Sequence, residues 1–572
     1  MKRYRWNLLA PDDETVQALT EAINVSQPVA RALCNRGVTT FDAARDYFRS
    51  SIEHIPSPFL MQQMQRAVDR VLEAVRMHEK IMIYGDYDVD GTTGTAMLFL
   101  FLKEQGAGVS WYINDRFTEG YGLSDEGIDT ALGRQVSLII TVDCGIRANG
   151  EIKRCGELGI DVIVCDHHEP DELPPAYAIL NPKVPGSTYP FRELCGCGVA
   201  FKLIQAIAGD SGGDAESWQK YLDFVAIATA ADMVALEQEN RTLVREGLKR
   251  MRVKPRGTFK ALFSLMKVAS SELGMFHIAF GIAPRINAAS RMGSAHLAME
   301  WLVSESMDDS VRHAGELDRM NALRREIDSD IMTRAEKMVE SHFASYCSSI
   351  VLYDESWHLG VLGIVASKML EKHYLPTVIL GSMNGFIKGS VRSIEGFNIY
   401  EALQECSAYL EQFGGHHQAA GVILRPENLA GFRKKFNEVC AARLSIEQQQ
   451  KALAVDARLP LEEITPNFIN VLGQFAPLGY GNREPLFISV ELQLFGTPRL
   501  LSKRHVKFTV RDSAGRIFDV IGFDRPDIFD ELSSQSRPVF VMLYSVEKRM
   551  WNNREQIQIR LRDLELCNRP KS

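Results

Sequence analysis

Three clusters of acidic and histidine residues each follow a short apolar run in the first third of the chain. They are Asp86–Gly91 (DYDVDG), Asp143–Gly145 (DCG) and Asp166–His168 (DHH). If each apolar run is a strand of an open parallel sheet, the loops that follow the strands converge at its carboxyl edge. Carboxylates and imidazoles gathered there suit Mn²⁺ or Mg²⁺ better than a structural zinc ion. Enzymes that hydrolyse phosphate esters commonly use a pair of such ions.

The first cluster places Asp86, Asp88 and Asp90 at every second position. In an extended backbone all three side chains would point the same way. Three like charges so close together repel one another strongly unless a cation lies among them. The alternative is an acidic turn in which Gly91 supplies the bend. Three such clusters at three strand ends favour the metal site.

The second and third clusters offer further ligands. Asp143 follows an apolar run, and a single carboxylate in a strand-end loop can bridge two ions. His167 and His168 are adjacent and point in different directions, so one can bind a metal ion while the other faces the substrate. Asp166 can hydrogen-bond an imidazole from behind.

Asp232 ends the apolar stretch Phe224–Ala231. A charge within so apolar a stretch is costly unless it is paired or bound to a metal ion. We therefore predict that Asp232 is a further ligand. The alternative is a carboxylate that simply lies at a helix end.

Two other stretches combine residue types that bind phosphate. Pro284–Arg291 (PRINAASR) places two guanidinium groups among small residues, and arginine forks suit phosphate. Phe413–Gly421 (FGGHHQAAG) is a glycine-rich turn whose backbone N–H groups can cradle a phosphate, as in nests and at helix starts. Ser390 and Arg392 lie at a predicted strand end and can add a cationic clamp. For each stretch the alternative is a tight structural turn.

The pattern along the chain predicts a multi-domain α/β protein. From Lys80 onward, strand-like runs alternate with helical runs, which is typical of a doubly wound parallel sheet. Apolar residues at three–four spacing over Leu317–Met338 indicate a long helix that can join two lobes. Five strands near the end are typical of a small barrel such as an OB-fold. The predicted domains are an N-terminal helical segment (1–75), the doubly wound domain (76–250), a helical region with the connector helix (251–345), a smaller α/β domain (346–445) and the barrel (446–572).

Composition and charge limit which classes of protein this chain can belong to. Hydrophobic residues make up 45% of the 572-residue chain and the net charge is −8, so no global basic signal indicates nucleic acid. No stretch of about 18 apolar residues exists, so no membrane span is predicted. The ten cysteines are scattered, and reduced thiols in a cytosol are the simplest interpretation.

One local basic excess lies at the end of the chain. From Phe495 onward there are 15 Lys and Arg against 10 Asp and Glu, a net charge of +5, which leaves −13 for the remainder. In a groove on the barrel, bases can stack on aromatic rings while phosphates meet cations. The alternative is that most of the aromatic residues fill the barrel. The groove candidates are Lys503, Arg504, Lys507, Arg511, Arg549, Phe508, Phe523 and Trp551.

Taken together, the stretch Tyr84–Gly91, the two later clusters and Asp232 resemble the four motifs of the DHH phosphoesterase superfamily. Gly414–Gly421 resembles the glycine-rich signature of the DHH-associated domain. Trp357–Ser367 and Pro284–Arg291 resemble the corresponding stretches of the RecJ family within that superfamily. The resemblance covers nearly the whole chain, in order, including the barrel.

The resemblance implies a bacterial, cytoplasmic exonuclease that degrades single-stranded DNA from the 5′ end to mononucleotides. It implies two Mn²⁺ or Mg²⁺ ions as cofactors and a role in DNA recombination and repair. The implied partners are a RecQ-type helicase and a single-strand binding protein. The mixed charged surface gives no reason to expect more than a monomer.

The resemblance also implies residue roles. Asp143, His168 and Arg291 would be catalytic, with His168 facing the scissile phosphate. The implied metal ligands are Asp86, Asp88, Asp90, Asp143, His167 and Asp232, of which Asp86 is a ligand or a close neighbour of one. The implied nucleic-acid contacts are Arg285, Asn287 and Arg291, together with Ser390, Arg392, Gly414, Gly415 and His416 from the second lobe. Two departures, Ser290 where a glycine is common and Ser294 where an acidic residue often stands, leave the metal motifs intact and bear on the contacts around Arg291.

Two other functions remain open from the sequence. One is a phosphodiesterase for short oligoribonucleotides or cyclic dinucleotides, although such chains are usually shorter and lack the C-terminal barrel. The other is a DNA-binding scaffold that keeps the fold and has lost catalysis. The complete set of acidic motifs argues against the scaffold.

Overall fold

The two ends of the chain belong to the same structural unit. The computed structural model describes residues 4–342, 348–445, 447–511, 515–534, 538–551 and 554–567. Residues 1–54 group with residues 450–572, and residues 55–449 form the second unit. The N-terminal elements of the first unit are β1 (Tyr4–Leu8), α1 (Asp13–Ile23), α2 (Gln27–Cys34) and α3 (Phe41–Arg49).

Strand β1 is a difference from the sequence-based expectation of helices alone in this segment. It pairs in parallel with Lys451–Val455, and Trp6 Nε1 donates a 2.9 Å hydrogen bond to Asp563. Both partners come from the opposite end of the chain, so no local pattern indicates the pairing.

The second unit begins with an alternation of strands and helices. Its central sheet has the strand order β3-β2-β4-β5-β6, and every neighbouring pair is parallel. The elements are α4 (Met64–Arg76), β2 (Lys80–Gly85), α5 (Val89–Glu104), β3 (Gly108–Ile113), α6 (Asp125–Gly133), β4 (Leu138–Val142), α7 (Asn149–Glu157), β5 (Asp161–Cys165), β6 (Ala178–Leu180) and α8 (Gly196–Asp210).

This sheet is covered by helices on both faces. Met82, Tyr84 and Ile139 pack with residues of α6 and α7, and α5 and α8 contact the sheet and each other. Because side chains alternate along a strand, the two helix pairs lie on opposite faces. The predicted doubly wound parallel sheet is confirmed.

The order of the strands indicates where a ligand-binding site lies in this sheet. β3 and β4 lie on either side of β2, so the chain leaves β2 in one direction and returns on its other side. Open sheets of this kind bind ligands at the carboxyl ends of the strands where the order reverses. The loops after β2 and β4, which carry Asp86 and Asp143, meet at this point.

A helical region follows, and its last helix has 36 residues, or about 54 Å at 1.5 Å per residue. This is the long connector helix that the sequence predicts. The elements are α9 (Glu216–Gln219), α10 (Leu222–Ala231), α11 (Gln238–Val253), α12 (Gly257–Met266), α13 (Met275–His277), α14 (Ala283–Met292), α15 (His296–Leu302) and α16 (Met307–His342).

A second lobe completes this unit with a smaller mixed sheet. Its strand order is β10-β11-β9-β8-β7; β7 and β8 are parallel and the other pairs are antiparallel. The elements are β7 (Ile350–Tyr353), α17 (Leu362–His373), β8 (Thr377–Met383), β9 (Phe386–Arg392), α18 (Ile399–Gln404), β10 (Gln412–Gly415), β11 (Ala419–Leu424) and α19 (Leu429–Arg443).

The C-terminal part of the first unit is a closed barrel. β14 pairs with both β18 and β16, which closes the circuit β14-β18-β19-β17-β16, as an OB-fold requires. The elements are β12 (Lys451–Val455), β13 (Ala457–Arg458), α20 (Pro466–Gly473), β14 (Phe487–Leu494), β15 (Arg499–Leu501), β16 (His505–Arg511), β17 (Ile517–Gly522), α21 (Pro526–Ser533), β18 (Val539–Trp551) and β19 (Arg554–Leu566).

The barrel groove candidates divide between interior and surface. Phe508 is buried and fills the barrel, whereas Phe523 is 41% exposed with the guanidinium of Arg560 5.3 Å from its ring centre. Arg511 lies over the exposed ring of Phe495. The side chains of Arg549 and Trp551 lie outside the described residues.

Within the described ranges, no helix is both long enough and apolar enough to cross a membrane.

Candidate metal centre and active site

Helix α5 begins at the first acidic cluster, and Asp88 caps it. The Asp88 carboxylate accepts hydrogen bonds from the backbone N–H groups of Asp90 (2.9 Å) and Gly91 (3.2 Å). A Cβ on Gly91 would lie 2.5 Å from the backbone oxygen of Asp86, so only glycine permits this turn. The helix runs from Val89, so the extended backbone that would align all three carboxylates is not formed.

The start of helix α8 holds the Asp90 carboxylate. The backbone N–H groups of Gly196 and Cys197 donate to its two oxygens at 2.6 and 2.8 Å, an arrangement that a helix N-terminus favours for a negative charge. Asp90 Oδ2 also lies 3.8 Å from His167 Nε2, in the third cluster.

Six carboxylate and imidazole side chains form two groups that meet at Asp143. In each group the ligand atoms lie within 4.8 Å of one another. Asp143 belongs to the first group, and its Oδ1 is 3.1 Å from His167 Nε2 in the second. In the second group, Asp232 Oδ2 is 3.6 Å and Asp90 Oδ2 is 3.8 Å from His167 Nε2. The first group is Asp86, Asp88 and Asp143; the second is Asp90, His167 and Asp232; Asp143, His167 and His168 also bring ligand atoms within the same distance of one another.

The chemistry of these atoms fits divalent cations. Asp86 Oδ1, Asp143 Oδ1, Asp232 Oδ2 and both ring nitrogens of His167 are buried and make no hydrogen bond to any described residue. A buried polar atom without a partner is costly, so each example needs an explanation such as a bound ion. Oxygen donors with one imidazole are the set that Mn²⁺ and Mg²⁺ accept.

The protonation equilibria give the same indication. Burial, together with the neighbouring carboxylates, raises the pKa of Asp86, Asp143 and Asp232 well above the usual value. The same causes raise the pKa of Asp90 to about 6. Burial and the charge of His168 lower the pKa of His167 to about 3, so this ring is neutral and has a lone pair for a metal ion. Bound cations would supply the positive charge that this cluster lacks.

His168 is held from behind by Asp166, as the sequence predicts. The Nδ1 atom of His168 lies 2.8 Å from Asp166 Oδ1, and Asp166 also accepts from the backbone N–H groups of His167 and Ile146. Burial alone would lower the pKa of His168, but the hydrogen bond and charge of Asp166 raise it above the usual value. Because Nδ1 faces Asp166, Nε2 is the ring nitrogen left to contact a substrate.

Tyr121 is a site residue that sequence reasoning missed. Its hydroxyl donates to the backbone oxygen of Asp143 at 2.9 Å and lies 3.1 Å from His168 Nδ1. It borders a cleft of about 380 Å³ that also touches Gly145, Arg147, His168 and, from the second lobe, His416. A tyrosine between two glycines, Gly120 and Gly122, is the signal that could have found it.

Three arginines form a cationic cluster beside the first metal group. Arg116, also missed from the sequence, stacks on Tyr87 with its guanidinium 3.9 Å from the ring centre, and its Nη2 donates to Ser290 Oγ. Arg291 donates to the backbone oxygen of Gly360. Burial, and then the charges of Arg116 and Arg392, lower the pKa of Arg291 to about 10. No carboxylate of the described residues lies within 4.0 Å of these three guanidinium groups, so the cluster suits an anion.

Two further predicted nucleic-acid contacts, Asn287 and Arg285, have different surroundings. Asn287 lies one helical turn before Arg291 on α14, so both share a face, and its Oδ1 is buried without a hydrogen bond to the described residues. Arg285 instead pairs with Asp318 of the long helix at 2.7 Å and with the backbone oxygen of Gly281. In this structure Arg285 fastens α14 to α16.

The glycine-rich turn is a β-hairpin between β10 and β11. Gly414 and Gly415 lie on the edge strand β10, opposite Gly421 and Ala420. The backbone N–H of His416 donates to Ala419 at 2.8 Å and closes the hairpin. Burial and the charge of Arg147 lower the pKa of His416. The hairpin therefore brings an imidazole to the cleft without forming a helix-start phosphate cradle.

Metal binding should stabilise the protein more at pH 7.5 than at pH 5.5. Burial raises the pKa of all four buried carboxyls, and that of Asp90 to about 6. The contribution of Asp90 to stability is therefore largest at low pH and is lost as pH rises through about 6. At pH 7.5 the ions meet a charged Asp90, whereas at pH 5.5 they must first displace its proton. We expect Mn²⁺ at a hundredfold excess over Kd to add about 2.7 kcal/mol at pH 7.5.

Thermal unfolding with Mn²⁺ or with a chelator, at both pH values, measures this difference. Asp143→Asn serves as the comparison and should lose most of the Mn²⁺ effect. An equal increment in Tm at pH 5.5 and 7.5 would contradict the assignment of these carboxyls as ligands.

Comparison with known proteins agrees with this architecture. Residues 80–229 match the DHH family, N-terminal domain; residues 344–442 match the DHHA1 domain; and residues 455–563 match the RecJ OB domain. The fold and the site therefore define a protein of the DHH class with an appended OB domain.

Relatives identify the family within this class. The chain is 38% identical over 566 residues to the single-stranded-DNA-specific exonuclease RecJ of Bacillus subtilis (strain 168), covering 98% of this chain and 71% of that protein. The crystal structure of RecJ in complex with Mn²⁺ from Thermus thermophilus matches with a TM-score of 0.84 and 29% identity, over 100% of this chain and 80% of that one. The Mg²⁺ complex of the same protein matches with a TM-score of 0.78 and 27% identity, over 100% and 79%. The chain belongs to the RecJ family.

Proposed function

We propose that this chain is a metal-dependent exonuclease that degrades single-stranded DNA from the 5′ end and releases 5′-mononucleotides. Family membership supports the nuclease and its substrate, because the relative from Bacillus subtilis is named a single-stranded-DNA-specific exonuclease. The observation that carries the polarity is the cluster of Arg116, Arg291 and Arg392 beside the first metal group.

A terminal phosphate is the anion that this cluster suits. A phosphate monoester carries a charge of about −1.5 to −2 at pH 7, whereas an internal phosphodiester carries one negative charge. Guanidinium forks bind such an anion through charge-assisted hydrogen bonds. With the 5′-phosphate held there, the phosphodiester between the first and second nucleotides would fall at the neighbouring carboxylates.

The ligand groups and His168 would have different roles in hydrolysis. Divalent cations bound by the two groups would lower the pKa of a water molecule and stabilise negative charge on the phosphate. His168, whose pKa Asp166 raises, would donate a hydrogen bond from Nε2 to a phosphate oxygen. The water oxygen bonds to phosphorus, and the bond from phosphorus to the 3′ oxygen of the first nucleotide breaks.

The products explain how successive cuts follow one another. The first nucleotide leaves with its 5′-phosphate and a 3′-hydroxyl, and the shortened strand keeps the attacked phosphate as its new 5′ end. Each cut therefore creates the terminal phosphate that the arginine cluster takes next.

The barrel and the partners complete the proposal. The exposed Phe523 with Arg560, and Phe495 with Arg511, combine an aromatic ring with a cation, the pairing that holds single strands without sequence preference. A single-strand binding protein and a RecQ-type helicase would supply and unwind the substrate in the cytoplasm. The chain would act as a monomer.

The first experiment follows a single strand with a radioactive 5′-phosphate, in Mn²⁺, over short times. We expect early release of labelled mononucleotide, none with a chelator and none from a blunt duplex. Label that persists in a ladder of shortening strands would overturn the 5′ polarity. Tight binding without any cleavage would instead favour the scaffold function.

A further inference from the structure

The turn that leads into helix α17 touches two of the three cluster arginines. It spans Leu359–Gly363, between strand β7 and the helix of the second lobe. Gly360 faces Arg291 of α14, and Gly363 faces Arg392 and Ser390 of β9. The turn thus contacts residues of both lobes of the second unit.

Gly360 must lack a side chain for this contact. A Cβ at position 360 would lie 2.2 Å from the backbone oxygen of Arg291 and 3.1 Å from its carbonyl carbon. Backbone atoms inside a helix cannot move away cheaply. The carbonyl of Gly360 also accepts the 3.0 Å hydrogen bond from Arg291 Nη1, so the same residue sets both the distance and the direction of the guanidinium.

Gly363 has a similar relation to the second-lobe residues. A Cβ there would lie 2.8 Å from Arg392 Nη2 and 3.3 Å from Ser390 Oγ. Arg392 is further held by a hydrogen bond from Nη1 to the backbone oxygen of Val391 at 2.9 Å. The helix start therefore limits where the Arg392 guanidinium and the Ser390 hydroxyl can lie.

The turn itself is locally rigid. His358 Nδ1 accepts from the backbone N–H of Gly360 at 3.1 Å, and the backbone N–H of Val361 donates to the His358 carbonyl at 3.2 Å. The ring of His358 also lies edge-on to Phe117, one residue after Arg116. Guanidinium groups of like charge repel one another, so a rigid support is needed to keep them together before a phosphate arrives.

We propose that the Leu359–Gly363 turn is a positioning element that joins Arg291 of the first lobe to Ser390 and Arg392 of the second, and so builds one pocket for a terminal phosphate. This inference rests on the proposed function. Its consequence is that selectivity for phosphorylated 5′ ends depends on two glycines that touch no substrate atom.

The test compares kcat/KM for single strands with a 5′-phosphate and with a 5′-hydroxyl. Gly360→Ala is expected to reduce the ratio of the two values about tenfold, since misplacing one charged hydrogen bond is enough for that loss. Gly363→Ala should change the ratio in the same direction by less, because its Cβ meets only side-chain ends. Mn²⁺ affinity should stay the same in both variants, because the nearest atoms to either new Cβ belong to no residue of the two ligand groups.

Two controls set the smallest and the largest change expected in this ratio. Gly315→Ala, at a helical position of α16 with no atom within 4 Å of the new Cβ, should leave the ratio unchanged. Arg392→Ala removes a pocket residue itself and should reduce the ratio at least as much as Gly360→Ala. Gly363→Ala keeps the test decisive if Gly360→Ala does not fold.

The outcomes separate the two proposals. If Arg392→Ala loses the preference while both glycine variants keep it, the role of the turn is overturned and the pocket stands. If the unchanged protein and Arg392→Ala both cut the two substrates equally well, the terminal-phosphate pocket is overturned together with the turn. An equal fall on both substrates in the glycine variants would show a purely structural role and would also overturn the inference.

Discussion

Replacing Asp143 with asparagine is expected to lower exonuclease turnover by about a thousandfold, ~4 kcal/mol of transition-state stabilisation. Asp143 belongs to the first ligand group, and its Oδ1 lies 3.1 Å from His167 Nε2 in the second. Its loss therefore weakens both groups at once. Single-turnover release of a 5′-labelled nucleotide in Mn²⁺ measures the effect.

Asparagine is the appropriate replacement because of the backbone at this position. Asp143 has φ +63°, in the left-handed region that Asn tolerates and most residues avoid. Asp143→Ala should also abolish cleavage, but it adds backbone strain of about 1–2 kcal/mol.

Binding separates the role of Asp143 from a loss of fold. Single-stranded DNA should bind the Asn variant with nearly unchanged affinity, because the arginine cluster and the barrel are intact. Asp210→Asn, an exposed carboxylate at the far end of α8, is the matched control and should cut normally. Cleavage at the normal rate by Asp143→Asn would mean that the metal assignment is wrong.

The second large effect is expected from Gly196→Ala. A Cβ at this position would lie 2.6 Å from Asp143 Cβ and 2.7 Å from its Cα, and the backbone N–H of Gly196 also holds Asp90. We expect a loss of about 1–3 kcal/mol in the free energy of unfolding, as overpacking typically causes. Displacement of ligands from both groups should also weaken Mn²⁺ binding by at least about tenfold, ~1.4 kcal/mol.

Gly198→Ala is the matched control two residues along the same helix. Its Cβ would meet Leu194 at an ordinary 3.4 Å, and alanine is the better helix former by about 1 kcal/mol. Stability should stay the same or rise, with full activity. Urea unfolding and Mn²⁺ titration of both variants provide the comparison; unchanged Mn²⁺ affinity in Gly196→Ala would refute the positioning role of this contact.

The strands and the three ligand clusters could be predicted from the sequence because their signals are local. Buried parallel strands appear as short apolar runs, and a carboxylate or histidine follows each run directly. One topological rule then brings Asp86, Asp143 and His167 to the same sheet edge. The barrel was equally accessible, since its strands appear as short runs separated by turns.

Some features within the predicted motifs depend on contacts that spacing does not reveal. An extended backbone would align Asp86, Asp88 and Asp90, but Asp88 caps a helix. The motif around Arg285 predicts a phosphate contact, and in the structure Arg285 pairs with Asp318 of the long helix. In both cases a hydrogen-bonding partner, which no spacing rule reveals, decides where the side chain points.

Sequence alone therefore determined the class of fold, the ligand types and their convergence at one sheet edge. Only the tertiary structure decided how the ligands divide into two groups, that Arg116 joins the cluster, and that Gly196 and Gly360 must lack side chains. The physical reason is that each of these features is a contact between distant segments. Such contacts depend on packing and charge in three dimensions, which leave no periodicity in the chain.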